Sequence, residues 1–207
     1  MTAGLGQAEI IDRVAVVVAD RIVTQSEILL QMRVAAFLDG EPVDLSAARR
    51  RQAAERLIEQ MLVRREIELS RYPVPDLPEA DALLAKIRKQ EPRLSAGESF
   101  RAELARYEIG EEDVRQQLLW QLTLLRFVEY RFRPAVAPSE DDLKGYYDKQ
   151  YVPRWKQLST QPVPSYEDSR AEIEATVSGR LLDDALERWL KQARAQARIR
   201  FREEVFR

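Results

Sequence analysis

"RVAVVVADRIVTQSEI", residues 13–28, decides how this chain is read, because it is nearly the only β-like stretch in a sequence made mostly of charged, amphipathic helix. Val14, Val16 and Val18 alternate with Ala15, Val17 and Ala19, so both faces of the ribbon are apolar and both need cover. The pattern predicts a hairpin from Arg13 to Val23 that turns at Asp20-Arg21. A two-stranded hairpin is marginal alone in water, so this one needs a third strand or helical cover. The other strand-like stretch is "ARIRFREEVF" at 197–206, where Ile199 and Phe201 alternate with Arg198, Arg200 and Arg202 as a sheet edge would. The two ends of the chain are therefore expected to meet in one small antiparallel sheet, with the helices looped out between them.

Ten prolines punctuate the interior and fall between periodic stretches or at helix starts, where a missing N–H costs little. The segments they bound read as helices at about 25–38, 45–71, 78–89, 99–107, 111–132, 139–150 and 166–195. Four openings carry capping-box spacing: Thr24 with Glu27, Ser95 with Glu98, Ser139 with Asp142 and Ser165 with Asp168. Leu57, Ile58, Met61 and Leu62 form the apolar stripe of the second helix. Val114, Leu118, Leu122, Leu125 and Val128 form that of the fifth, widened by Leu119, Trp120, Leu124 and Phe127 beyond what one contact requires, as in a central helix or a binding wall. "YVPRWKQLSTQPVPS" at 151–165 is proline-interrupted, has no usable period and reads as linker. The fold class is thus mainly α, about six helices with a small sheet. Residues 1–133 hold a helical core, 134–164 a short helix and linker, and 165–207 a helix and strand that complete the core.

At 207 residues the chain can bury a sizeable core. Hydrophobic residues make up 45% and charged residues 33%, a globular composition whose extra charge suits helices with solvated faces. The net charge of -2 gives no reason to expect nucleic acid or an anionic membrane surface. With neither cysteine nor histidine, disulfides, thiolate chemistry, the commonest general base and the commonest metal ligand are all excluded. No apolar run approaches the ~18–20 residues of a membrane span, so stable insertion is not expected. "MTAGLGQAE" lacks the basic start and apolar run of a secretory signal, which suits a cytoplasmic chain or a mature form without its signal.

The acidic clusters Glu111-Glu112-Asp113 and Glu140-Asp141-Asp142 open helices, where the dipole favours negative charge, so capping accounts for them better than acid–base or Mg²⁺ chemistry. Asp183-Asp184 is a third acidic pair. Arg49-Arg50-Arg51 reads as a solvated face, since no glycine-rich phosphate loop accompanies it. No constellation suggests an enzyme, and no cofactor is expected.

The order of the pieces resembles the SurA-type periplasmic chaperones, a family that includes parvulin-fused folding factors. "IIDRVAVVVADRIVTQSEI" is similar to the family's opening hairpin and first helix, and "AAERLIEQMLVRREI" to its second. "LSAGESFRAELARYEIGEEDVRQQLLWQLTLLRFVEYRF" resembles the helix, glycine turn and helix that follow. "APSEDDLKGYYDKQY" resembles the lead into the isomerase domain, and "ERWLKQARAQARIRF" the closing helix and strand. The resemblance implies a soluble periplasmic chaperone, its signal peptide absent from this chain. Such a protein holds unfolded secreted or outer-membrane polypeptides without ATP.

Between Tyr151 and Pro164 there is no room for a parvulin domain of at least ~50 residues, so a member without prolyl isomerase activity is expected. Clients that share hydrophobicity rather than sequence call for adaptable Met and aromatic surfaces. On this reading the peptide-binding candidates are Met32, Phe37, Met61, Trp120, Phe127, Tyr130, Tyr146, Tyr147 and Trp155. Ordinary core also accounts for residues of this kind at helical spacing. Trp155 lies outside any stripe, and Trp189 is assigned to core. The alternatives are a helical adaptor with one dedicated partner and a residual prolyl isomerase. A domain-swapped homodimer is compatible with the paired ends.

Overall fold

The computed structural model describes residues 12–207. Residues 1–11, which include the stretch read for a leader and the start of the family-like "IIDRV", lie outside the described residues. The fold is mainly α with one small antiparallel sheet, as the sequence predicts. The sheet contains β1 (Val14–Val18), β2 (Arg21–Thr24) and β3 (Ile199–Phe201) in the order β2-β1-β3. The valine-rich strand is therefore central.

Val16 pairs with Phe201, Val17 with Arg200 and Val18 with Ile199. The Ala19 N–H donates to the Arg198 carbonyl at 2.9 Å, and the Arg202 N–H to the Ala15 carbonyl at 2.8 Å, which extends the ladder at both ends. The turn differs from expectation by one residue. Val18 pairs with Arg21, leaving Ala19-Asp20 at the bend with Ala19 in a left-handed conformation of φ 53. Alternation places the strands but does not say which residue takes the positive φ. The cover demanded by two apolar faces is in place, since Ala15, Val16, Val18 and Val23 are all buried.

The helices are α1 (Gln25–Asp39), α2 (Ala47–Ser70), α3 (Leu77–Gln90), α4 (Gly97–Arg106), α5 (Glu111–Phe132), α6 (Glu140–Tyr146), α7 (Val152–Leu158) and α8 (Tyr166–Gln196). Thr24 and Ser139 make the full reciprocal capping boxes at α1 and α6. At α8 the Asp168 N–H donates to the Ser165 hydroxyl at 3.2 Å. Ser95 does not cap α4. Pro92–Leu94 form a 3-10 turn, the Ser95 hydroxyl donates back to the Pro92 carbonyl at 2.9 Å, and α4 starts after Ala96. Ser46 caps α2, where the Arg49 N–H donates to its hydroxyl at 3.4 Å.

The largest correction concerns residues 151–165. Tyr147–Tyr151 form a π turn that runs directly into α7, so the expected linker is helical as far as Leu158. Pro153 cannot donate to the carbonyl four residues back, and its ring crowds that carbonyl. The wider turn absorbs both defects, with the Val152 N–H bonded to the Tyr147 carbonyl.

The described chain divides into two compact units. One runs to Thr123 and includes Ala193–Arg207; the other is Leu124–Gln192. The segment expected to complete the core is thus shared, with most of α8 in the second unit. In the first unit Phe37, Leu84, Leu94, Phe100, Leu104, Tyr107, Val114 and Leu118 form a core drawn from α1 and from α3 through α5. In the second, Leu143, Ile173 and Val177 bury one cluster, and Val128, Phe132 and Leu182 another.

Candidate functional site

Three helical faces of the first unit converge on one groove. Glu27, Leu30, Gln31 and Val34 lie on α1 at i, i+3, i+4 and i+7, the spacing that places side chains on a single face. Leu57, Gln60 and Arg64 continue the wall on α2, and Asp113, Gln116 and Gln117 close it on α5, around a hollow of about 300 Å³. A second hollow of about 180 Å³ adjoins it, lined by Ile67 and Glu68 on α2, by Val74, and by Leu119, Trp120 and Thr123 on α5. Arg64 and Gln116 line both.

The lining combines apolar Leu30, Val34, Leu57, Ile67, Leu119 and Trp120 with the amides of Gln31, Gln60, Gln116 and Gln117. An amide side chain offers donors and an acceptor together, so it can pair with either group of a peptide backbone. Gln116 already donates to Glu112 at 2.6 Å. Two lining carboxylates are engaged in capping, with Glu27 accepting from the Thr24 N–H at 2.7 Å and Asp113 from the Gly110 N–H at 2.7 Å, and the third, Glu68, accepts from Arg21 at 2.7 Å. The Arg64 guanidinium lies 4.3 Å from the centroid of the Trp120 ring. Desolvation holds its pKa below the ordinary arginine value, with Arg21 acting in the same direction and Glu68 against it. A cation resting on a ring face is held less firmly than one in a bidentate ion pair. Trp120 itself is buried, 5% exposed, beneath this guanidinium.

The other expected peptide-binding residues are dispersed. Met32 is half-buried and lines a separate, mostly polar hollow with Asp39, Glu41, Arg49 and Arg56, and Met61 is half-buried on α2. Phe37 and Phe127 have no exposed surface. Phe37 sits edge-on to Phe100 and Tyr107 in the core, so neither Phe37 nor Phe127 faces a client. Tyr130 is 62% exposed. In the second unit, Tyr146 packs near the buried Leu143 cluster beneath Arg180, whose guanidinium lies 4.7 Å from its ring. Tyr147 and Trp155 are half-buried and belong to one aromatic column whose middle member, Tyr151, sequence reasoning passed over. Trp189 packs edge-on against Phe132, consistent with a core assignment.

The glutamines and Arg64 were also passed over, because polar residues at helical spacing read as a solvated face; the pattern that could have found them is the alternation of Leu30, Val34 and Leu57 with amides on the same faces. Among the described residues no acidic cluster could hold a metal ion, and no helix is long and apolar enough to cross a membrane. No protein family matches the sequence, and no curated protein matches it either.

Proposed function

We propose that the protein is an ATP-independent chaperone of the SurA type that holds unfolded secreted or outer-membrane polypeptides in the periplasm, without prolyl isomerase chemistry. The groove between α1, α2 and α5 carries this reading, because its lining joins apolar side chains to glutamine amides. Such a surface takes side chains by hydrophobicity and the backbone by hydrogen bonds, and neither mode depends on client sequence. Covering a client's apolar surface and unpaired strand edges lowers the concentration of the species that aggregates. Each contact is individually weak, which suits a holder that must release.

The test is light scattering of a denatured outer-membrane protein diluted into buffer with and without this protein. Suppression by the wild type, reduced by Leu30→Glu at unchanged thermal stability, is the expected result. Unsuppressed scattering with the wild type present overturns the proposal.

A further inference from the structure

The second unit carries a different surface, and its features are specific to one kind of backbone. Tyr147, Tyr151 and Trp155 stand in a single column. The first two rings stack at 5.8 Å between centroids and 19° between planes, and the next two at 6.0 Å and 23°. The π turn spans the first step of this column and α7 the second. Four residues overrun one α-turn of 3.6 residues but fall short of one π turn, so the two steps drift in opposite senses and largely cancel. Tyr147 is held from behind by the edge-on ring of Tyr166 at 5.6 Å, and the Tyr166 hydroxyl is in turn fixed to Glu140 at 2.9 Å.

The polar tips of the two end members point at the chain's own "QPVP" stretch. The Trp155 indole N–H donates to the Gln161 carbonyl at 3.2 Å, and the Tyr147 hydroxyl to the Pro164 carbonyl at 2.8 Å. Those carbonyls are three residues apart, which is one turn of polyproline II helix. The sequence favours that form from Pro162 onward, after a bend at Gln161. Pro162 and Pro164 have fixed φ, and Gln161 and Val163 each precede a proline and are driven to extended backbone. Aromatic rings with N–H and O–H tips directed at carbonyls one such turn apart are the chemistry by which proline-rich segments are recognised.

We propose that the Tyr147–Tyr151–Trp155 column is a binding site for proline-containing extended polypeptides, occupied here by the chain's own Gln161–Pro164. The internal occupant is tethered next to its site at an effective concentration on the order of millimolar, so a peptide in trans competes only at similar concentration. This inference stands on the second unit alone and does not depend on the groove.

The probe is a synthetic peptide of three Gln-Pro-Val-Pro repeats, with a control in which alanine replaces every proline. Binding is read from the indole N–H resonance of Trp155, assigned by its loss in Trp155→Phe. Millimolar repeat peptide is expected to shift that resonance in the wild type, and the control peptide to leave it in place. Pro162→Gly with Pro164→Gly should weaken the internal occupant and tighten peptide binding by about tenfold. Leu30→Glu should leave the titration unchanged, which separates this site from the groove. The wild-type titration decides the matter even if the double glycine variant fails to fold. An unmoved resonance at millimolar peptide, or equal shifts from the two peptides, overturns the proposal.

Discussion

The Arg51 guanidinium lies 3.6 Å from the centroid of the Phe201 ring and donates to the Glu203 carboxylate at 2.9 Å. One side chain of α2 therefore holds both the closing strand and the turn after it. Arg51→Ala should lower unfolding free energy by about 1–2 kcal/mol, the combined scale of a cation–π contact and a surface ion pair. Arg51→Lys should recover only part of it, because an ammonium cannot stack its plane on the ring. Urea denaturation of the three proteins checks the order.

Gly40 ends α1 with φ 72, and a Cβ there would meet the Arg93 guanidinium at 3.4 Å. Arg93 donates to the Phe37 carbonyl at 2.6 Å, so the crowding falls on the group that satisfies the helix end. Gly40→Ala should cost about 1–2 kcal/mol from left-handed strain alone. Gly40→Asn should cost less, since asparagine tolerates that conformation. Melting temperatures of both variants distinguish them.

Phe37 is wholly buried between the rings of Phe100 and Tyr107. Phe37→Ala should lose about 3–5 kcal/mol, the range for removing a core phenylalanine. A near-neutral denaturation midpoint would show that the ring is not core.

Desolvation on α2 raises the Glu59 carboxyl above its ordinary pKa, with Arg194 pulling it down and Glu55 pushing it further up. A folded-state pKa above the unfolded one means that the folded chain prefers the protonated acid. Its contribution is favourable below the unfolded pKa and is lost as pH rises through the folded pKa. At pH 7 the ionised group therefore opposes folding. Glu59→Gln should be the more stable protein at pH 7, with the gap closing as pH falls through the carboxylate range. Denaturant midpoints at pH 7 and pH 4 give the comparison.

The features legible in the sequence are those with a short period or a fixed offset. Alternating valines disclosed β1, alternating arginines disclosed β3, and the Thr24 and Ser139 boxes disclosed two helix starts. Ser95 misled because a 3-10 turn from Pro92 takes up its hydroxyl, a competition that the capping spacing does not register. Pro153 hid α7, since a proline breaks an α-helical period but not a helix that widens by one residue to receive it. For the candidate sites, Trp120, Tyr147 and Trp155 stood out by size. Arg64 and the lining glutamines did not, because the hollow they line belongs to three helices at once and no single helix shows it.

Because Val18 lies opposite Ile199, the central strand waits for its second neighbour until all the helices between them have been synthesised. Until then the valine ribbon has one bare edge, the kind of template that recruits other chains. Closing so long a loop is entropically slow, and contacts this distant in sequence retard folding. The molecule therefore passes through a stage in which it has the same vulnerability as an unfinished β-protein, and refolding at high concentration should lose material to aggregation before β3 docks.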